Sequence, residues 1–345
     1  MDSKELPIPS HYNPKKVGRV WKVDYEKMAT DAEKWQEKYE LQPSAGDKKR
    51  FLLLLVDVQN TFCMPGFELF VAGRSGAAAV EDNKRLCEFI YRNLNRLTKI
   101  CFTMDTHQVM QIFHGIFLVD DQGKHPKPFT SITVKDIKKG VWKFNKKISS
   151  ALGINPSYGQ EYLLHYTQKL ALRGKYDLTI WPYHAMLGGI GHAIVSSVEE
   201  AVFFHGIARS SQPDFIIKGK NPFTENYSVL SPDVTSDQSG KKIGAKNKAL
   251  TDTLLKHDVI IVAGQAKSHC LAWTIDDLLI DIYDRYSPEF TNKVYLLEDC
   301  TSPVVIPDFI DYTQKADEAF KRFADTGMHI VRSVDSMSHW PGFSS

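Results

Sequence analysis

Three residue types that together perform acyl chemistry sit at the ends of apolar runs in this chain. Asp57 closes FLLLLVD (51–57), Lys218 closes DFIIK (214–218), and Cys270 follows VIIVAG (259–264) through the short turn QAKS. A thiol attacks a carbonyl carbon, a carboxylate takes the thiol proton and later donates it to the leaving group, and a cation favours the thiolate. Backbone amides after the turn would hold the oxyanion. Taken singly, each residue has an ordinary explanation. Asp57 fits a turn or capping acid, Lys218 a solvated lysine at a strand end, and Cys270 a small buried hydrophobe. Their coincidence is what points to covalent catalysis.

A second constellation is Asp105-Thr106-His107 with His184 in IWPYH, and His114 as a nearer but looser member. Oxygen and imidazole donors of this kind suit a divalent metal. A D-x-H alone is a weak signal, because loop histidines are more often hydrogen-bonded or exposed than ligating. The five cysteines, Cys63, Cys87, Cys101, Cys270 and Cys300, are odd in number and contain no CxxC pair. That excludes a disulfide framework and a thiolate zinc site, so any reactive cysteine acts alone.

The elements that position these groups follow from hydrophobic patterning. FLLLLVDV (51–58) is an uninterrupted apolar run of strand length, the pattern of a parallel strand covered on both faces. Helical periodicity over 77–97 and the run KICFTMD (99–105) complete a β-α-β unit. Further strand-like runs are 214–219, 258–264, 293–299 and 328–334, with apolar-periodic segments between several of them. The pattern predicts an open parallel sheet with helices on both faces, whose ligands bind at the carboxyl ends of the strands. Those ends carry Asp57, Asp105 with His107, and Lys218, and one of them leads to Cys270. The spacing of Leu271, Trp273, Ile275, Leu278 and Leu279 predicts a helix starting close to Cys270, whose macrodipole would favour the thiolate.

Residues 1–50 are polar, punctuated by four prolines and carry one helical stretch near 24–40; they read as an extension packed on the domain. Between about 115 and 180 the pattern loosens before a helix over 160–175, the signature of an insertion that forms a lid or an interface. The segment 191–214 begins with glycines and then reads as a helix bearing His192 and His205, neither assigned a role. No repeat or heptad seam is present. A net charge of +2 gives no polycationic face for nucleic acid. The start has no apolar leader, and FLLLLV is far shorter than the ~20 residues of a membrane span. The expectation is a cytoplasmic protein with a small-molecule partner and with neither nucleic acid nor membrane.

The segments LLLVDVQNTFCMPGFELFVAG, FTMDTH, IWPYHAMLGGIGHA, IIKGKNPFTENYS and VAGQAKSHCLAWT resemble, in the family's own order, the nicotinamidase branch of the isochorismatase-like cysteine hydrolases. The resemblance covers most of residues 51–335. It implies a three-layer α/β/α fold with a central six-stranded, mostly parallel sheet, in a single domain over 51–340. It implies Asp57 as general base and acid, Lys218 as the supporting cation, Cys270 as nucleophile, and a cis peptide at Gln265-Ala266 that aims amides at the oxyanion. It further implies a divalent metal, zinc first with iron or manganese as alternatives, on Asp105, His107 and His184, and aromatic walls at Phe62 and Trp181. The implied reaction is hydrolysis of nicotinamide or a related carboxamide to the acid and ammonia, by a cytoplasmic homo-oligomer. Three departures bear on the substrate. W-P-x-H-C reads WPYHA, D-W-H-P reads DTHQ, and His114 lies one residue further from His107 than usual. Two alternatives stand beside this reading: a different, larger amide on the same triad, or a catalytically silent protein that binds a ligand or metal.

Overall fold

The run Phe51–Val56 forms strand β1, and each of its residues is buried, as a strand between two helical layers requires. The computed structural model describes residues 5–343. Five more strands join β1 in one sheet: β2 (Leu97–Asp105), β3 (Asp214–Lys218), β4 (Val259–Gly264), β5 (Val294–Leu297) and β6 (His329–Val331). Their order is β6-β5-β4-β1-β2-β3, and each pairing is parallel. The sheet is thus wholly rather than mostly parallel. Its centre, β4-β1-β2, aligns the carboxyl ends that the sequence marks as chemical.

Side chains of a strand alternate between faces, and β1 divides its residues accordingly. Leu53 and Leu55 pack with Leu86, Phe89 and Ile90 of α2 (Ala78–Arg92) and with Val198 and Ala201 of a later helix, Ser196–Ala208. Leu52, Leu54 and Val56 pack on the other face with Leu254, Leu271, Ile275 and Phe323. The helices there are Lys248–Leu255, Cys270–Arg285 and Thr313–Asp325. In chain order the long helices are α1 (Tyr25–Tyr39), α2, α3 (Pro156–Leu172), α4 (Ser196–Ala208), α5 (Lys248–Leu255), α6 (Cys270–Arg285) and α7 (Thr313–Asp325).

The polar N-terminal segment adds to the core as well as covering it. Met28 and Ala32 of α1 are buried, and Ala32 and Leu41 belong to the α2/α4 cluster. The Leu6 amide donates to the Arg92 carbonyl at 2.8 Å, and Ser44 to Arg209 at 2.8 Å. The segment between about 112 and 181 builds a hydrophobic cluster of its own from Ile112, Phe117, Ile132, Phe144, Tyr162, Tyr166, Leu170 and Ile180. Two-residue strand pairs, Leu118–Val119 with Lys143–Phe144 and Ser131–Ile132 with Leu178–Thr179, brace it.

Several boundaries differ from the sequence reading, each for a local reason. The helix expected over 77–97 ends at Arg92, because the Asn93 carbonyl takes the amides of Arg96 and Leu97 and turns the chain into β2. Within 191–214 the helix begins only at Ser196. The preceding residues form a turn and then a bridge of Ile194 to Gln59, and the Ala193 and Gly191 carbonyls accept from Asn60 (2.8 Å) and Thr61 (2.9 Å). The helix expected over 160–175 starts at Pro156, capped by the Asn155 side chain, a placement that suits proline at the first helical position.

Candidate active site

β1 hands over to Asp57, whose φ of 46° lies in the left-handed region. A non-glycine residue there costs of order 1–3 kcal/mol, and Thr103 of β2 holds it in place. The Asp57 amide donates to Thr103 Oγ1 at 3.0 Å, and the Thr103 hydroxyl donates to Asp57 Oδ1 at 2.5 Å. Alongside, β4 ends at Gly264, with φ 113°. A Cβ there would stand 2.1 Å from the Val56 carbonyl oxygen, so only glycine admits this approach of β4 to β1. The Gln265-Ala266 peptide is cis. The turn then delivers Cys270 as the first residue of α6.

Lys218 ends β3 opposite Asp105 of β2 in the strand register, and its ammonium joins the groups together. Nζ lies 2.9 Å from Asp57 Oδ2 and 3.0 Å from Asp105 Oδ1. It also donates to the Asn226 carbonyl at 2.8 Å and contacts Cys270 Sγ at 3.6 Å. The two carboxylate contacts are ion pairs whose angles leave Asp57 Oδ2 and Asp105 Oδ1 without a directed hydrogen bond. All four side chains are buried, Asp57 fully and Lys218 to 5% exposure. One cation is therefore shared by two buried acids.

Burial opposes ionisation, and the neighbours decide each outcome. Burial alone would lower the Lys218 pKa, but Asp105, Asp57 and Cys270 hold it well above the usual lysine value. Burial raises Asp57 above the ordinary carboxylate range, with Lys218 opposing. Burial likewise pushes the Cys270 thiol well up, with Lys218 opposing and the Asp57 carboxylate adding to the rise. The helix N-terminus and the lysine do not by themselves leave a standing thiolate. Ionisation of that thiol would need a nearby base, and the Asp57 carboxylate shares Lys218 Nζ with the sulfur.

Asp105, His107 and His184 form the second group, with ligand atoms all within 4.8 Å of one another. His184 Nδ1 donates to the Pro182 carbonyl at 2.8 Å, which leaves the Nε2 lone pair 3.7 Å from Asp105 Oδ2. His107 Nε2 is 2.8 Å from the same oxygen, with Nδ1 3.3 Å from the Gly219 carbonyl. Gln59 clamps the Asp105 backbone, donating to its carbonyl at 2.9 Å and accepting from its amide at 2.8 Å. Two imidazoles and a carboxylate, each steadied from behind, are a donor set that could hold a divalent metal. Gly219 packs so closely that a Cβ would lie 2.8 Å from both Asp105 Oδ1 and His107 Cε1. His114 stands outside the three-residue group, its ring centroid 6.0 Å from that of His184. Its Nδ1 meets the Val109 carbonyl at 3.0 Å.

A cavity of about 330 Å³ opens over these groups. Cys270, Asp105, His184 and Ala266 line it, as do Phe62 and Trp181. Gln265 does not line it: its side chain points to Asp82, donating to Oδ2 at 2.8 Å, and accepts from the Ser302 amide at 3.2 Å. Among the described residues, neither the Ala266 nor the Cys270 amide donates to a backbone carbonyl. The insertion contributes Phe129 and Trp181 to the wall. His192 contacts Thr106 Oγ1 at 2.8 Å, beside the metal-ligand group, whereas His205 lies in the α4 layer with Nε2 on the Leu97 carbonyl.

Sequence reasoning missed Gln59, Thr103, Glu225 and His269. Gln59 and Thr103 carry a readable signal, as polar residues at or just past the ends of apolar strands. Glu225 and His269 line the cavity from irregular segments, where periodicity gives no placement. Burial raises the Glu225 carboxyl to about 8, with His107 opposing.

No family model matches the chain, and no curated protein matches its sequence. Solved structures do. A nicotinamidase/pyrazinamidase from Acinetobacter baumanii is 18% identical, covering 84% of this chain and 99% of its own, with a TM-score of 0.48. The yeast nicotinamidase is 16% identical over 81% of this chain and 99% of its own, with a TM-score of 0.48. The Pyrococcus horikoshii pyrazinamidase, solved with zinc, is 16% identical over 82% of this chain and 99% of its own, with a TM-score of 0.42.

Proposed function

We propose that this protein is a cysteine-dependent amidohydrolase that converts nicotinamide, or a related small carboxamide, to the acid and ammonia through a thioester. The observation that carries the reading is the Lys218 ammonium, 2.9 Å from Asp57 and 3.6 Å from the Sγ of Cys270, which lines the cavity. The cavity volume of about 330 Å³ lies at the lower end of small-molecule sites, which run from about 300 to 1,000 Å³. That size favours a one-ring amide over a larger one.

Asp57 takes the thiol proton as sulfur forms its bond to the carboxamide carbon, and the carbonyl π electrons move to oxygen. The free amides of Ala266 and Cys270 are the donors for that oxyanion. Lys218 keeps the developing negative charge at sulfur and Asp57 compensated. Asp57 then passes its proton to the nitrogen, the C–N bond breaks, and ammonia leaves a thioester on Cys270. Water, deprotonated by Asp57, attacks the thioester, and the sulfur recovers its proton. Asp105, His107 and His184 would hold a divalent metal, zinc first, with iron or manganese as alternatives. Such an ion supplies Lewis acidity toward a heteroatom of the substrate. Phe62, set edge-on to His184 with centroids 5.7 Å apart, and Trp181 confine a flat ring.

Incubating the purified protein with nicotinamide and a panel of small amides, with and without chelator, and measuring ammonia tests the reading. Release from wild type and none from Cys270→Ala is the expected result. Release that persists unchanged in Cys270→Ala would sink the nucleophile assignment.

A further inference from the structure

His269, immediately before Cys270, is a polar cavity residue that the reaction above leaves unused. It is 3% exposed and stands among the rings of Tyr176, Trp181, Tyr227 and Tyr312, with centroids 4.6–5.7 Å away. Its Nδ1 lies 2.8 Å from Ser268 Oγ, and that hydroxyl oxygen already accepts the Val304 amide at 3.0 Å. Among the described residues, the acceptor within reach of the Ser268 proton is His269 Nδ1. Burial, with Lys315 adding to it, lowers the imidazole pKa to about 3, so the ring is neutral. A neutral ring that accepts at Nδ1 carries its proton on Nε2.

That Nε2 is buried and has no hydrogen-bond partner. Buried donors without partners are rare in folded proteins, and each asks for an explanation. The neighbouring polar groups do not supply one. Trp181 Nε1 donates to the Tyr227 hydroxyl at 3.0 Å, and the Tyr176 hydroxyl donates to the Ser268 carbonyl at 3.0 Å.

We propose that His269 is a specificity-determining residue whose Nε2–H donates to an acceptor atom of the bound amide other than the carboxamide, so that heteroaromatic or otherwise acceptor-bearing amides are preferred. The inference rests on the amidohydrolase reading of the same cavity. It differs from recognition at Asp105, His107 and His184 because it comes from the opposite kind of group, a neutral donor set by the Val304–Ser268–His269 relay. A site built to donate a hydrogen bond rejects an analogue lacking the acceptor more strongly than an apolar wall rejects a change of shape.

Two measurements test it. First, Cys270→Ala protein labelled with 15N-histidine is titrated with pyrazinamide and with benzamide, and the His269 signals among the twelve histidines are assigned by their absence in a His269→Phe background. The expected result is an Nε2-protonated ring whose proton moves downfield with pyrazinamide and not with benzamide. An Nδ1-protonated ring, or bound pyrazinamide that leaves the signal in place, overturns the proposal, as does failure of both amides to bind. Second, kcat/KM for the two amides is compared in wild type, His269→Phe and His269→Gln. The pyrazinamide-to-benzamide ratio should fall tenfold or more in His269→Phe and recover in part in His269→Gln; an unchanged ratio overturns it. If pyrazinamide alone shifts His269 but wild type releases no ammonia from any amide, the hydrolase reading fails while the recognition role stands.

Discussion

Replacing Lys218 by methionine is the sharpest test of how this site is held together. The substitution keeps the length of the side chain and removes its charge, leaving Asp57 and Asp105 buried without their shared cation. At 2.9 and 3.0 Å, each pair is worth about 6 kcal/mol of gross attraction at an effective dielectric of ~20. Dehydrating the lysine offsets much of that sum, and removing one partner of a buried pair typically costs about 3–5 kcal/mol. We therefore expect Lys218→Met to lose about 3–5 kcal/mol at pH 8, read as the urea midpoint of metal-free protein in chelator. The loss must also depend on pH. In wild type the Asp105 carboxyl is held well below its usual range: burial opposes this, but His107 and Lys218 prevail. Its contribution is present above the unfolded pKa near 4 and is lost as pH falls through the native value. In the variant the buried acids have no cation, so at least one native pKa rises above the unfolded value. That group's contribution is full below about pH 4 and is lost as pH rises through the native pKa, by up to about 1.4 kcal/mol per pH unit. The gap between wild type and variant should thus widen from pH 5 to pH 8, and adding Asp57→Asn should close part of it. A Lys218→Met protein within 1 kcal/mol of wild type at pH 8, with a gap independent of pH, would refute the shared-cation account.

Gly219→Ala should lower zinc retention in equilibrium dialysis by tenfold or more, because its Cβ meets Asp105 Oδ1 and His107 at 2.8 Å; unchanged retention would show that these side chains do not hold the ion. Asp82→Ala removes the acceptor of Gln265 Nε2 and should cost about 1–3 kcal/mol in chemical denaturation, with ammonia release falling further than folding alone accounts for. Gly159→Ala puts a methyl 2.4 Å from the Phe144 ring and should destabilise the insertion by about 1–3 kcal/mol, seen as faster proteolysis between residues 112 and 181. Gly264→Ala, with its Cβ 2.1 Å from the Val56 oxygen, should yield no folded protein; a normal thermal transition would contradict the close approach of β4 to β1.

The parts of the site at strand ends were legible because apolar runs announce both the strand and the residue that stops it. Asp57, Asp105 and Lys218 are found by reading FLLLLV, ICFTM and FII to their first charge. Cys270 is found by the helical spacing that follows it. His184 has no such signal: it sits in the irregular stretch after Trp181, and it entered as a metal-type donor in IWPYH that the motif resemblance then supported. Glu225 and His269 were missed for the same reason, since a loop residue reaches the cavity through contacts distant in sequence. The insertion's core was missed because its strands are two residues long, too short for alternation to register. β3 was legible as a strand but not as an edge, although Phe215 and Ile217 are half exposed.

The sheet order explains why these particular charges can coexist. Adjacent strands lie about 4.8 Å apart, so the ends of β1 and β2 alone would set two carboxylates side by side in a dry interior, a placement that the desolvation of each acid forbids. The next strand outward is β3, whose register places Lys218 directly opposite Asp105. A lysine side chain is long enough to pass Asp105 and reach Asp57 one strand further on, and the structure has Nζ within 3.0 Å of both. A shift of β3 by one residue would exchange Lys218 for Ile217 or Gly219 at that position and leave both acids uncompensated. The electrostatics of the site therefore favour the register of this edge strand, in concert with the stacking of Phe215 on Phe102, centroids 5.1 Å apart. The lysine to which the proposed reaction assigns a role thus also helps to fix β3 in place.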